Sequence, residues 1–345
     1  MVSTKNKGRN NVNSEMHKKK YSSKIFDTPV LNFVADVLNK KGGEYHYTSP
    51  EGLKGILETR TFYFTDCQYL NDYRERIGIN SQLDYFWEYY KKSYDKQFVK
   101  LLKGLRVDTF EDAEFSYTES PYIDDDVNAI NRYFVFSTSH NGDNLSMWKY
   151  YSKGNGYNGF CIELFSYALI DEWFVEDTGA KICGGRVIYD TYEKLMLIKK
   201  NVDTLYNIWF DYAVSDEKDE KIIAEFRCWL SLISLFFKDE CFKDEDEYRY
   251  VAIVPIDKLN DLSYEYKGIN YKMYDFRLVN GVFVPYLKIP FNISNVDKCY
   301  SISAIRIGPS EGFEQKKLSL LRFIDSLDYS LDDCKICSSN IPLRY

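Results

Sequence analysis

Histidine is almost missing from this 345-residue chain, which carries three: His17, His46 and His140. With so few, a Ser-His-Asp relay cannot be argued, since serines are plentiful and each histidine stands alone. Metal-ligand spacing is equally thin. The eight cysteines are scattered, and the one close pair, Cys334 and Cys337, has no second pair to complete a zinc site. No metal is therefore expected. Cysteines spread this way in a long chain read as reduced thiols. Long apolar runs are missing too. The most apolar stretch, Cys228 to Phe237, has ten uncharged residues, short of the ~20 a bilayer requires. No apolar segment follows the N-terminus, so neither a signal peptide nor a membrane span is expected, and the expected location is cytoplasmic.

A strongly basic character is absent as well: the formal net charge is −7, which excludes a nucleic-acid footprint over the whole chain. The exception is residues 1–24. There Lys5, Lys7, Arg9, Lys18, Lys19, Lys20 and Lys24 face only Glu15, which reads as a disordered basic arm, able to touch RNA or phosphate or simply to trail. Walker, GxSxG and HExxH motifs are all lacking. The GNGYNG stretch at 154–159 precedes a strand pattern rather than a helix, so it reads as a turn and not as a dinucleotide fingerprint.

Aromatics are abundant, with 31 tyrosines and 23 phenylalanines, which supplies both core bodies and stacking surfaces. Helical spacing of apolar residues is seen at 28–40, 53–57, 77–90, 144–151 and 222–237. Strand patterns occupy 44–49, 61–65, 133–139, 160–164, 183–189, 247–254 and 302–307, and a hairpin is expected around Asn280-Gly281. Asn71-Asp72 with Glu75 has the pattern of a helix N-cap with its reciprocal carboxylate. Helices and strands without regular βαβ alternation predict an α+β fold with a mixed, mostly antiparallel sheet. No linker divides 25–345, so one domain is expected there.

Three places can carry chemistry. In Tyr45-His46-Tyr47-Thr48 the strand period puts His46 and Thr48 on one face and the tyrosines on the other. A His-Thr pair can hold one polar ligand, or the imidazole can simply satisfy a loop. Ser137-Thr138-Ser139 ends an apolar strand; its hydroxyls can line a cleft or meet local backbone. Finally, FFKDECFKDEDEYRYVAIVP crowds six acids between Phe237 and Tyr248. Most such clusters are solvated turns. Glu247 differs because it opens the strand, where rigid backbone fixes its direction. Arg249 shares its face and can hold it ionised, or form an ordinary surface pair.

Taken in order, four blocks resemble a widespread bacterial family of unknown function: YHYTSPEGLKGIL, FYFTDCQYLNDYRE, FSTSHNGDNLSMWKYYSKGNGYNGFCIEL, and EDEYR followed by ISAIRIGP. That family is similar to a divergent branch of the ADP-ribosyltransferases. The resemblance implies an ADP-ribosyltransferase-type β-core with a cleft for NAD. It implies that His46 and Thr48 bind the nicotinamide ribose and amide, that Ser137 or Thr138 supplies the middle motif, and that Glu247 is the catalytic glutamate with His46 beside it. Glu245 completes an ExE pattern and, with Arg249, would face the substrate. Tyr45, Tyr47 or Tyr63 would stack on nicotinamide, and Asn71 would line the cleft or cap its helix. Arginine-modifying members pair ExE with a first-strand arginine; a histidine here leaves the acceptor open. The implied activity is NAD-dependent mono-ADP-ribosyl transfer to a protein or nucleic acid, in a toxin or antiphage effector with an antitoxin or regulatory partner. An NAD glycohydrolase and a non-catalytic nucleotide-binding module are the rival readings. No metal is needed for any of them.

Overall fold

The structure is a computed structural model describing residues 43–70, 77–107, 131–151, 157–165, 180–211, 216–290, 301–331 and 334–342. The basic arm, the expected helix at 28–40 and the Asn71-Asp72 cap lie outside the described residues.

The centre of the fold is β3 (Asn131–Ser139). One edge pairs along its whole length with β6 (Glu247–Pro255), from Asn131↔Pro255 to Ser139↔Glu247, and β6 pairs outward with β5 (Lys181–Arg186). The other edge is shared by two strands. β1 (Gly43–Thr48) pairs at Tyr45↔Ser139, while β2 (Thr61–Asp66) pairs at Thr65↔Val135 and Asp66↔Phe134. The sheet therefore forks at Phe136–Thr138. Beyond β1 lie β4 (Phe160–Phe165), β11 (Ile302–Ile307) and β12 (Lys335–Ser338). Beyond β2 lie β10 (Val282–Pro290) and β9 (Tyr274–Val279). Every pairing in this sheet is antiparallel except β11 with β12. A separate hairpin joins β7 (Ser263–Tyr266) to β8 (Ile269–Lys272). The result is an α+β fold with a mixed, mostly antiparallel sheet and helices around it.

Apolar residues explain which face each helix covers. On one face, Phe62, Phe64, Phe134, Phe136 and Tyr250 pack beneath α1 (Pro50–Thr59) and α7 (Phe313–Ile324). On the other, Val135 and Val251 pack beneath α2 (Gly78–Tyr90), α3 (Lys96–Leu102), α5 (Thr191–Asp211) and α6 (Asp216–Ile233). The short helix α4 (Leu145–Tyr151) seats Met147 and Trp148 against Tyr47 and Cys161. Local chemistry sets the boundaries. The Ser49 hydroxyl accepts from Gly52 N–H at 3.1 Å and Pro50 fills the first turn, which starts α1. Gly52 is there because a Cβ would collide with the Thr48 hydroxyl. At Asn280-Gly281, φ values of 50° and 83° make the two-residue hairpin turn the dipeptide predicts.

Candidate active site

The acid-rich stretch folds as a 3-10 segment, Glu240–Glu245, whose end turns through Asp246 at φ 43° and delivers Glu247 into β6. The Asp239 carboxylate caps its start by accepting from Cys241 N–H at 2.9 Å. Four of the six acids are thus spent on exposed caps and turns, while Glu245 and Glu247 are buried. Two cations meet them. Arg249 donates to Glu247 from Nε at 2.7 Å and Nη2 at 3.0 Å, a bidentate pair. Lys238 Nζ bridges both acids, 2.7 Å from Glu245 Oε2 and 3.0 Å from Glu247 Oε2. The Ser137 side chain also favours the charged form of Glu247. Burial pushes the Glu247 carboxyl up, but the Arg249 and Lys238 charges and the Arg249 and Ser137 hydrogen bonds outweigh it and hold the pKa at about 2.

Tyrosines close over this cluster. The Tyr189 hydroxyl accepts from Glu247 N–H at 3.1 Å. Burial raises the Tyr151 phenol pKa, and the Glu245 and Glu247 charges raise it further, so its ring stands near the acid pair.

His46 reaches the same β3 residue from the opposite side. Its Nδ1 lies 2.9 Å from the Ser137 carbonyl, and its ring stacks on Phe136 with centroids 4.4 Å apart. The register explains why that carbonyl is free for it. His140 N–H donates to the Asp246 carbonyl, so even-numbered β3 residues turn their backbone to β6 and odd-numbered ones to the β1/β2 edge. Ser137 falls between the β1 and β2 pairings, and the imidazole fills the gap. Donation from Nδ1–H leaves Nε2 as the acceptor. Burial lowers the His46 pKa to about 4, the Ser137 carbonyl opposes this, and the Arg277 charge adds to it.

The expected residues therefore divide between two faces. Tyr45 faces with Ser139, so Tyr47, Ser137, Glu247 and Arg249 share one side, and His46, Thr48 and Thr138 share the other. Ser137 lies between them: its carbonyl meets His46, and its side chain favours the ionised form of Glu247. Thr138 is committed elsewhere, donating at 2.9 Å to Glu44 Oε2, which also accepts from Tyr250 at 2.7 Å. Tyr47 is buried against Trp148, and its hydroxyl donates to Asn141 O and accepts from Asn144 N–H, so neither ring face nor hydroxyl is left for a ligand. Tyr63 is half-buried on β2, its ring 4.9 Å from Tyr286. Asn71 lies outside the described residues.

Lys238, Tyr189, Glu44 and Arg277 were not expected from sequence. Lys238 had one visible cue, a lone lysine closing the uncharged run 228–237. Glu44 had another, its place two residues before His46 on the same face. A surface groove of about 470 Å³ between α1 and α7, lined by Leu53, Phe160, Lys316 and Phe323 among others, contains none of the expected site residues.

Comparison with known proteins gives one family match. Residues 147–250 fit the family described as Protein of unknown function (DUF2971), a span that runs from α4 to β6. No curated protein and no solved structure matches the chain.

Proposed function

We propose that the chain is an NAD-dependent mono-ADP-ribosyltransferase whose reaction centre lies at the C-terminal end of β3. The observation that carries this reading is Ser137, where three sequence-distant motifs converge: the first-strand histidine, the serine-threonine strand end and the ExE acids. Chemically, the bond between nicotinamide and C1′ of the ribose breaks, neutral nicotinamide leaves with the bonding pair, and an oxocarbenium-like sugar develops. A fixed carboxylate near the ribose stabilises that charge more in the transition state than in the ground state. Glu247 is ionised throughout the neutral range, so it acts by its charge and by accepting a ribose hydroxyl, and not as a proton-abstracting base.

Access to it has a definite cost. Arg249 and Lys238 donate three hydrogen bonds to the carboxylate, so a ribose hydroxyl must take its remaining acceptor position or replace one of these charged donors. That same saturation favours a second reading, a non-catalytic module in which the four charges only build the fold.

Incubation with NAD labelled in the adenylate half separates these readings. Label on a protein or nucleic-acid acceptor is expected. Free ADP-ribose alone would make water the acceptor and the chain a glycohydrolase, and NAD binding without turnover would leave the binding module. Glu247→Gln is expected to lower turnover at least 100-fold, with Glu247→Gln/Arg249→Met as a second variant that keeps the buried charges balanced. Undiminished turnover in both would remove Glu247 from the mechanism.

A further inference from the structure

Among the described residues the main sheet ends at β9, and that end is apolar. Tyr274, Phe276 and Leu278 share a face with their β10 partners Leu287, Pro285 and Phe283. Tyr274 and Leu287 belong to the core beneath α1 and α7. The Phe276 ring carries that core outward, 5.1 Å from the Tyr274 ring. There the face meets solvent: Phe276 is 51% exposed, Leu278 66% and Phe283 70%. Single exposed apolar residues are ordinary, but three neighbours on an edge hairpin mark an interaction surface.

The backbone of β9 limits how a partner can meet it. The Asn280-Gly281 turn pairs Val279 with Val282, and Lys288 N–H donates to the Met273 carbonyl at 2.9 Å. Odd-numbered β9 residues therefore bond to β10, while Tyr274, Phe276 and Leu278 turn their N–H and C=O groups to the outer edge. An antiparallel strand adds there only in registers that pair these even-numbered residues with its own outward groups. For a second copy related by a two-fold axis, the axis then passes through one residue, and mid-strand that residue is Asp275, Phe276 or Arg277. An axis at Asp275 sets acid against acid, and one at Arg277 sets base against base, both unfavourable. An axis at Phe276 sets Asp275 against Arg277 twice, Tyr274 against Leu278 twice, and Phe276 against itself. Tyr274-Asp275-Phe276-Arg277-Leu278 is thus self-complementary about its centre.

We propose that β9 is a homodimer edge: two copies add their β9 strands antiparallel about a two-fold axis at Phe276, joining two sheets into one. In the single chain the Asp275 carboxylate accepts from Phe276 N–H at 2.8 Å and from Lys288 at 2.6 Å. An acid over the central N–H disfavours addition of an arbitrary strand. A copy with an arginine at the opposing position draws that carboxylate across and frees the N–H for the Phe276 carbonyl of the other copy. The apolar faces of the two hairpins then continue each other. One short strand a side is a small interface, so the association is weak and depends on concentration. It needs neither NAD nor the acid cluster.

Sedimentation equilibrium from about 10 μM to about 1 mM tests it. The wild-type chain is expected to pass from monomer toward dimer across that range. Asp275→Lys and Arg277→Glu each set like charges against one another at both positions beside the axis, so each variant alone should associate about tenfold more weakly or worse. Mixed one to one, the two variants should recover the wild-type affinity, because every charge beside the axis again faces its opposite. Leu278→Lys, at an exposed position, should abolish the dimer and leave the urea midpoint unchanged, which keeps a readout if a charge variant does not fold. A wild-type chain monomeric at about 1 mM, a mixture no tighter than either variant alone, or a dimer unaffected by Leu278→Lys would overturn the proposal. Flotation with phosphatidylcholine vesicles covers the other occupant. A chain that stays monomeric yet floats, and stops floating on Leu278→Lys, would assign this face to a lipid surface and overturn the homodimer.

Discussion

Glu247, Glu245, Lys238 and Arg249 are four buried charges whose sum is zero, and each carboxylate touches Lys238. Bringing such groups out of water costs several kcal/mol per ion, and the cluster persists because every charge faces an opposite one. Removing one member leaves a net buried charge, which is worse than removing a pair. Glu247→Gln is expected to destabilise the fold by about 3–5 kcal/mol, with a lower urea midpoint at unchanged slope. Glu247→Gln/Arg249→Met takes away one charge of each sign and leaves the 2.7 Å Lys238–Glu245 pair in place. It should therefore be more stable than Glu247→Gln alone, and the reverse order would show that the cluster is not balanced as described. Part of this cluster is legible in sequence. Glu247 and Arg249 are two apart on a strand, so period-two alternation places them side by side. Lys238 and Tyr189 are not legible in that way. They come from other segments, and only the packing of those segments onto β6 decides that an ammonium and a phenol land beside that carboxylate.

The elements repeat the same division between local and non-local information. Strands β1, β2, β3, β6 and β11 and helices α1, α2 and α4 follow from apolar period and caps, each decided within a few residues. Helix α5 has no place among the expected helices, although Leu195, Ile198, Val202 and Leu205 mark its buried face. Helix α6 begins at Asp216, six residues before the first expected apolar position, because its charged first turns carry no apolar period. The expected strand at 183–189 ends at Arg186, where the chain leaves β6 and the Tyr189 hydroxyl turns toward Glu247. The fork was invisible, since it depends on β1 and β2 competing for one edge of β3. The β9–β10 hairpin, by contrast, depends on a turn that is legible in the Asn280-Gly281 dipeptide. Gly281 sits at φ 83°, where a Cβ is strained by roughly 1–2 kcal/mol. Gly281→Ala should destabilise the fold by about that amount. An alanine variant as stable as wild type would mean that the turn relaxes without left-handed backbone.

Two groups in the described sheet link the stability of the whole molecule to pH in the same direction, in successive windows. The His46 pKa falls from 6.5 to about 4 on folding. Between those values the unfolded chain binds the proton and the folded one does not, so acidification through this range favours unfolding. The Glu247 pKa falls from 4.5 to about 2. Its contribution is fully present above 4.5 and is lost as pH drops toward 2, because the unfolded carboxylate takes its proton first. Urea midpoints measured from pH 8 to pH 3 are thus expected to stay flat above about 7, decline from about 6.5 to 4, and keep declining below. Replacing His46 by Gln, which can still donate to the Ser137 carbonyl, should flatten the upper window and leave the lower one. An upper decline that persists unchanged in the glutamine variant would show that the imidazole in the fork is not what the molecule titrates.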